Sequence, residues 1–484
     1  MSRAFRVIVL TPAALGDPAL AIAALRAGHL GVLNAELPLA PGALDSALAR
    51  LTATAAATGQ SFGLALADPM EGAAFVGRHA GQGLSTLILP AEAALAAPEA
   101  LTAIRAAGVA VILEAIRWDP RLAGPAASDG IIVKGHEAGG RVGEATSFIL
   151  LQQAMAGGAA QVFVRGGVGL HSTAALRIGG AAGVVLDDQT LALRESTLPP
   201  GIGTVLARMT GAETVLVEGA GGIAWRGIEQ PGTRAAARLR TALAADPVAQ
   251  ETTAPAAIGW DIARGQIAPL GQAAAFAPDL ARRHGSLGRL VRALIDDSAQ
   301  AVARAATHAP FAENTGVAEP HATRWPIVQG PMTRVSDTAA FAEAVAKGGA
   351  LPMVALALMR PAQADTLLAD VAQRLAGRSW GVGLLGFAPA ALIKAQVEVA
   401  LKHKPAFALI AGGRPDQARA MEEDGIPSYL HVPSPRLLTM FLEQGAGRFV
   451  FEGRECGGHV GPMSSLVLWD QMVRTLLSEV TDPA

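Results

Sequence analysis

At 484 residues the chain is too long for one small module and predicts two or three domains, or two large barrels. Hydrophobic residues make up 51% and charged residues 17%, with a positive mean hydropathy, which excludes a disordered chain or an extended coiled coil. A formal net charge of −2 without any basic run argues against nucleic acid or an anionic membrane surface as partner. The single cysteine, Cys456, cannot form an internal disulfide or a thiolate metal cluster, so a reducing, cytoplasmic setting and no metal are expected. The opening MSRAFRVIVLTPAALGDPALA is broken by Pro12, Asp17 and Pro18 and reads as strand, turn and helix rather than as a signal peptide. No uninterrupted apolar run is long enough for a membrane-spanning helix.

From Phe5 onward, short β-branched runs alternate with Ala/Leu-rich amphipathic segments: FRVIVL, GVLNAE, FGLALA, LSTLILP, VAVILEA, GIIVKG, QVFVRGG and GVVLDD. Continuous apolar runs, each followed by a helical pattern, imply parallel strands buried on both faces. Eight βα units of this kind predict a compact (β/α)8 barrel of the TIM type over residues 1–200, with an open doubly wound sheet as the competing arrangement. After Pro199 the pattern changes. TVLVEGAGGIAWRGIEQPG reads as a hairpin-bearing extension and the stretch from Thr233 to Ala306 as helical, so 201–322 is expected to be an extension and connector. The alternation restarts at WPIVQG and runs through LPMVALAL, WGVGLLGF, FALIAGG, SYLHVPS and RFVFEGRECGGHVG, placing a second barrel over 323–484.

An internal repeat supports the partition. KGHEAGGRVG (Lys134 to Gly143) aligns with EGRECGGHVG (Glu452 to Gly461) with six identities in ten, at a separation of 318 residues. The first copy of the motif is followed by two more strand–loop units, whereas the second is followed by only about 20 residues. The second barrel is therefore expected to be incomplete, its last strands lying in a longer polypeptide or coming from elsewhere; half a barrel leaves open edges.

Several residues at strand ends carry possible chemistry, because barrel active sites lie at the carboxyl ends of the strands. In RECGGHVG, Gly457 and Gly458 remove Cβ atoms where a flat ligand could approach, and His459 offers a base near neutral pH; the plain alternative is a tight turn with a solvated histidine. In WPIVQGPMT, Gln329 suits the edge of a heterocycle while Gly330 and Met332 can lie against a ring, the alternative being a bulged strand end. Gly166 and Gly167, leading into a helix, have the form of a phosphate grip, yet Asp187 and Asp188 at the next strand end would repel an anion. His136, Glu137 and Arg141 form a charged cluster in the first copy. Arg141 stands where the second has His459 and cannot act as a general base, so His136 and Arg141 would bind an anion or a substrate, or serve only the scaffold. Cys456 reads as a small filler.

At these residues the chain resembles the nitronate monooxygenase (2-nitropropane dioxygenase) family, which includes FMN-type enoyl reductases. The likeness rests on Pro326 to Met332 and on Glu455 to Gly461, and it extends more weakly to the first 200 residues. The tandem arrangement is similar to the N-terminal region of bacterial type I polyketide synthase-like multienzymes. The resemblance implies FMN-binding barrels, with Gln329, Gly330 and Met332 beside the flavin ring, Gly457, Gly458 and His459 on the substrate side, and His459 moving a substrate proton. It implies an oxidoreductase acting on a nitronate or an enoyl thioester, with NAD(P)H as electron donor and an acyl carrier protein and other synthase domains as partners. The alternative is a non-catalytic scaffold of such a synthase. Two departures stand out: the family's third-strand Asn is Gly383 in one copy and Ala65 in the other, and the phosphate end of the first copy is Asp187-Asp188.

Overall fold

A computed structural model describes residues 4–79, 81–124, 128–246, 250–458 and 460–479. The chain divides into two compact units, 1–302 and 303–484, so residues 201–302 lie in the same unit as the first barrel.

In the first unit the apolar runs form β1 (Arg6–Leu10), β2 (Leu30–Ala35), β3 (Phe62–Leu66), β4 (Leu84–Pro90), β5 (Ala110–Ala115) and β6 (Gly130–Lys134). After the short β7 (Gly140–Val142) come β8 (Val162–Arg165) and β9 (Gly183–Leu186). All but β7 join in one closed, parallel, eight-stranded barrel. The ring closes where β1 pairs with β9, Ile8 opposite Val185, which disposes of the open-sheet alternative. Gly183 sits on that seam, where a Cβ would collide with the Arg6 carbonyl.

Every barrel strand contributes to one interior cluster: Ile8 and Leu10, Val32, Ala65, Ile88, Ile112, Ile132, Phe163 and Val185. The intervening residues, such as Val9, Leu33, Leu64, Leu87, Leu113 and Val133, are equally buried. Burial on both faces explains why these strands read as unbroken apolar runs rather than as alternation.

The segment beyond residue 200 folds back over the barrel. The hairpin read in its sequence is present, as β10 (Val215–Glu218) and β11 (Ala224–Gly227) pair antiparallel. β11 then pairs with β7, Trp225 opposite Arg141. Ala13 and Leu37, from loops at the carboxyl ends of barrel strands, pack in one core with Val217, Trp225, Leu239 and Ile258. Trp260 donates its indole N–H to the Ala13 carbonyl at 2.7 Å.

The second unit contains β12 (Val328–Gln329), β13 (Leu351–Ala355), β14 (Gly381–Leu385), β15 (Phe407–Ala411), β16 (Ser428–His431) and β17 (Phe449–Val450). They form one parallel six-stranded sheet in sequential order, a curled half-barrel of the incomplete kind expected. Leu351, Met353, Phe407 and Leu409 make its core. Among the described residues no helix is long and apolar enough to cross a membrane.

Phe163 fills the barrel interior with no exposed surface. Phe163→Ala is expected to destabilise the first unit by about 3–5 kcal/mol, read as a lowered urea midpoint at unchanged slope.

Candidate functional site

The first barrel ends its strands in charge. Glu36 follows β2, Glu114 lies within β5, Lys134 closes β6, Arg165 closes β8, and Asp187 and Asp188 follow β9. Parallel strands bring all these ends to one rim, so residues spread over 150 positions of sequence meet. Arg165 donates from Nη1 to Glu114 at 2.7 Å and from Nε to Asp187 at 2.8 Å. Lys134 Nζ lies 3.3 Å from Glu114 and 3.8 Å from Glu36. The two cations are 1% and 5% exposed along their side chains, so their charge is spent on these carboxylates rather than offered to solvent.

Burial by itself would raise the Glu114 carboxyl, but the charges and hydrogen bonds of Arg165 and Lys134 more than offset it and hold the group down to about 2. Asp188 goes the other way. Burial and the neighbouring Asp187 charge push it well above the usual carboxylate range, only partly opposed by the Gly271 N–H and by Arg165 and Lys134.

Glu137 is fully buried and accepts from the backbone N–H of Ser147 at 3.3 Å and from its hydroxyl, where the helix Ser147–Ala156 begins. In the second unit Glu455 accepts from Ser465 N at 2.8 Å and from its hydroxyl at 2.6 Å, where Ser465–Glu479 begins. The separation of the serines is the same 318 residues as that of the glutamates. A carboxylate at a helix N-terminus satisfies otherwise orphaned donors and the helix dipole.

The residues read from sequence fall in three groups. Arg141 lines a cleft of about 540 Å³ at the barrel mouth and is paired with Glu92 at 3.1 Å. His136 is instead enclosed: it is 2% exposed, its Nδ1 lies 2.8 Å from the Gly143 carbonyl, and its own carbonyl accepts from Arg226. Gly166 and Gly167 adopt the left-handed backbone that the turn needs, at φ 104° and 65°. Their carbonyls accept from the Ser147 and Ser172 hydroxyls, and the Gly169 N–H donates to Ser172 Oγ at 2.7 Å.

FMN does not fit this first barrel. A phosphate there would meet buried Asp187 and Asp188. The connector already occupies the same rim, since Gly271 N–H donates to Asp188 Oδ2 at 2.6 Å and Gln272 N–H to the Glu137 carbonyl at 2.8 Å. Gly139 has no room for a Cβ because the Pro269 carbonyl lies against it.

The second unit is more open. Gln329 Oε1 accepts from Met353 N at 3.3 Å, and Met332 is 41% exposed. Added Cβ atoms at Gly330, Gly457 and Gly458 would meet nothing within 4 Å. Pro331 packs directly over Gly383, which explains sterically why an Asn cannot stand there. Cys456 has its thiol pushed up by partial burial and by the Glu452 and Glu455 charges, against a thiolate nucleophile. His459 lies outside the described residues.

Glu36, Glu114, Lys134 and Arg165 were not singled out from sequence as a site. The signal was present in the charged ends of GVLNAE, VILEA, GIIVK and VFVR, four apolar runs that each stop on an ionisable residue or one residue past it.

No protein-family model matches the chain, and no curated protein does. Among solved structures, FabK from Thermotoga maritima shares 21% identity at a TM-score of 0.51, over 62% of this chain and 94% of that one. A nitroalkane oxidase from Streptomyces ansochromogenes shares 23% at 0.47, over 62% and 97%. The enoyl reductase domain of MlnA from the macrolactin biosynthesis cluster of Bacillus amyloliquefaciens shares 11% at 0.49, over 62% and 95%. What the first of these likenesses establishes is the fold, a TIM-type barrel.

Arg165→Met is expected to cost about 3–5 kcal/mol by stranding Glu114 and Asp187. The pH dependence has two limbs of opposite sign. Glu114, lowered on folding, contributes stability that is present above its ordinary value and lost as pH falls toward about 2. Asp188, raised on folding, contributes stability present below its ordinary value and lost as pH rises through its folded one. Asp188→Asn keeps an acceptor for Gly271 N–H, and should flatten the second limb in urea titrations run at a series of pH values while leaving the acid limb in place.

Proposed function

We propose that the chain is a segment of a flavin-dependent oxidoreductase, with the ring-facing residues in the second unit and a first barrel that has taken another role. The observation that carries this reading is the bare carboxyl edge of the six-stranded sheet. Gln329 closes its first strand and Gly330 and Met332 follow it, Gly457 and Gly458 follow its sixth, and all three glycines have open space where side chains would stand. Such an edge suits a planar ring system, because backbone without Cβ atoms permits stacking at van der Waals distance. The Gln329 amide can offer both a donor and an acceptor to a heterocycle.

The fit to FMN in this unit is to the ring end. In (β/α)8 barrels a phosphate is commonly gripped after the seventh and eighth strands, and the described residues of this unit supply six. Bound flavin would supply two-electron redox chemistry. The chain's own contribution is to orient the ring through Gln329, to keep the backbone clear at Gly330, Gly457 and Gly458, and to move a substrate proton through His459. The resemblance to the nitronate monooxygenase family, and to synthase multienzymes in particular, supports an enoyl thioester delivered by an acyl carrier protein over a nitronate, with NAD(P)H as electron donor. The filled rim of the first barrel favours a scaffold role for that half of the chain, which is the second reading.

Expressed with any native sequence that follows residue 484, the protein is expected to carry a flavin absorbance band. Gly330→Val, at a position with free space and an ordinary φ, should leave the fold intact and lower flavin occupancy at least about tenfold, a loss of roughly 1.4 kcal/mol in binding. His459→Ala should keep the flavin and slow turnover by about 10²-fold or more, the usual weight of a positioned acid or base. A colourless protein that ignores added FMN would leave the scaffold reading.

A further inference from the structure

A charge pair recurs in the two units with its members exchanged. In the first barrel Lys134 on β6 lies 3.3 Å from Glu114 on β5. Lys134 aligns with Glu452 across the 318-residue repeat, and the strand registers extend the match to Glu114. Glu114 stands opposite Ile132 and His431 opposite Val450, and Ile132 and Val450 are again 318 residues apart. The second unit therefore has an imidazole where the first has a carboxylate, and a carboxylate where the first has an ammonium. The contact survives the exchange, with His431 Nε2 3.1 Å from Glu452 Oε1.

The pair belongs to the inner face of the curled sheet. Tyr429 and Val450 pack on the core of that face, and His431 and Glu452 each stand two residues further along the chain, on the same side and nearer the carboxyl edge. Their side chains keep 15% and 20% exposure. Nε2 is enclosed against Glu452, whereas Nδ1 has no partner among the described residues. A carboxylate behind one ring nitrogen orients an imidazole and balances its charge when both nitrogens are protonated, which leaves Nδ1–H for a ligand. A second observation concerns the body of that ligand. Met332, Leu358 and Phe387, from the loops after β12, β13 and β14, are exposed apolar side chains along the same carboxyl edge.

We propose that His431, held by Glu452, is the hydrogen-bond donor to the carbonyl oxygen of an acyl thioester whose hydrocarbon body lies along Met332, Leu358 and Phe387. Negative charge develops on that oxygen when the neighbouring double bond takes up a hydride, and a donor fixed in advance stabilises it. No proton leaves the His431 ring, so the substrate proton stays with His459. The proposal rests on the reading of the second unit as the reacting half of the chain.

Hexanoyl-N-acetylcysteamine, isotope-labelled at the thioester carbonyl, is a suitable probe. On binding to the protein with any native sequence that follows residue 484, its carbonyl stretch should move to lower frequency. The two conservative variants separate a donor from a structural pair, because an asparagine amide approximates Nδ1–H and a glutamine amide approximates Nε2–H. His431→Asn should retain most of the shift, and His431→Gln should lose it and slow enoyl-thioester turnover by about 10²-fold, the weight of one oxyanion donor. Circular dichroism establishes that each variant is folded. Should either fail to fold, Glu452→Gln, which keeps the imidazole and removes its counter-charge, should diminish the same shift. Flavin absorbance of the same samples keeps the two readings apart: a colourless protein that shows the Asn-over-Gln order removes the flavin and supports the donor, while a yellow protein without that order overturns the donor alone. Absence of thioester binding, an unshifted carbonyl, or a shift preserved better by Gln than by Asn would also overturn it.

Discussion

The buried guanidinium of Arg165 ties together the mouth of the first barrel. It bonds Glu114 on β5 and Asp187 after β9, and Glu114 in turn takes Lys134 from β6. A cation in that position cannot be left without partners, and neither can the carboxylates around it, so each strand end constrains the next. The apolar interior immediately below supplies the low dielectric that makes the pairing strong and its loss expensive. The same arrangement decides what the mouth can accept. Lys134 and Arg165 are consumed internally, and Asp187 and Asp188 stand where such barrels often grip phosphate, which disfavours an anion at those strand ends.

The two units share a local device but not its surroundings. In each, a glutamate in a Gly-rich loop caps the helix that begins ten residues later at a serine. In the first unit the loop is roofed by Pro269 to Gln272 and by the pairing of β7 with β11. In the second, a Cβ added at Gly457 or Gly458 of the corresponding loop would meet nothing within 4 Å. One loop with two fates is a simple physical route to divergence: the backbone that leaves room for a flat ligand also leaves room for a stretch of its own chain.

Much of the fold was legible because strand and helix signals are local. The eight runs became the eight strands, and the hairpin formed where its glycine-rich turn predicted it. The site was legible only in part. Arg141 does reach the cleft, and Gly166 and Gly167 do make the expected turn. His136 was read as a residue for an anion or a substrate, whereas its ring is held inside its own loop. Gly383 looked like a missing contact, and its cause, the ring of Pro331 above it, comes from a different strand end.

By itself the sequence determined the period of the elements, their parallel sense, the recurrence at 318 residues and the incompleteness of the second sheet, because each follows from patterns within a few tens of residues or from self-similarity. Only the tertiary structure decided which charges meet. Glu36, Glu114, Lys134, Arg165 and Asp187 are separate strand ends in one dimension, and they become a single network when β1 pairs with β9 and closes the ring. Closure likewise decided where the connector's Gly271 would find an acceptor. Electrostatic and hydrogen-bond partners are set by distance in space, which strand periodicity does not encode.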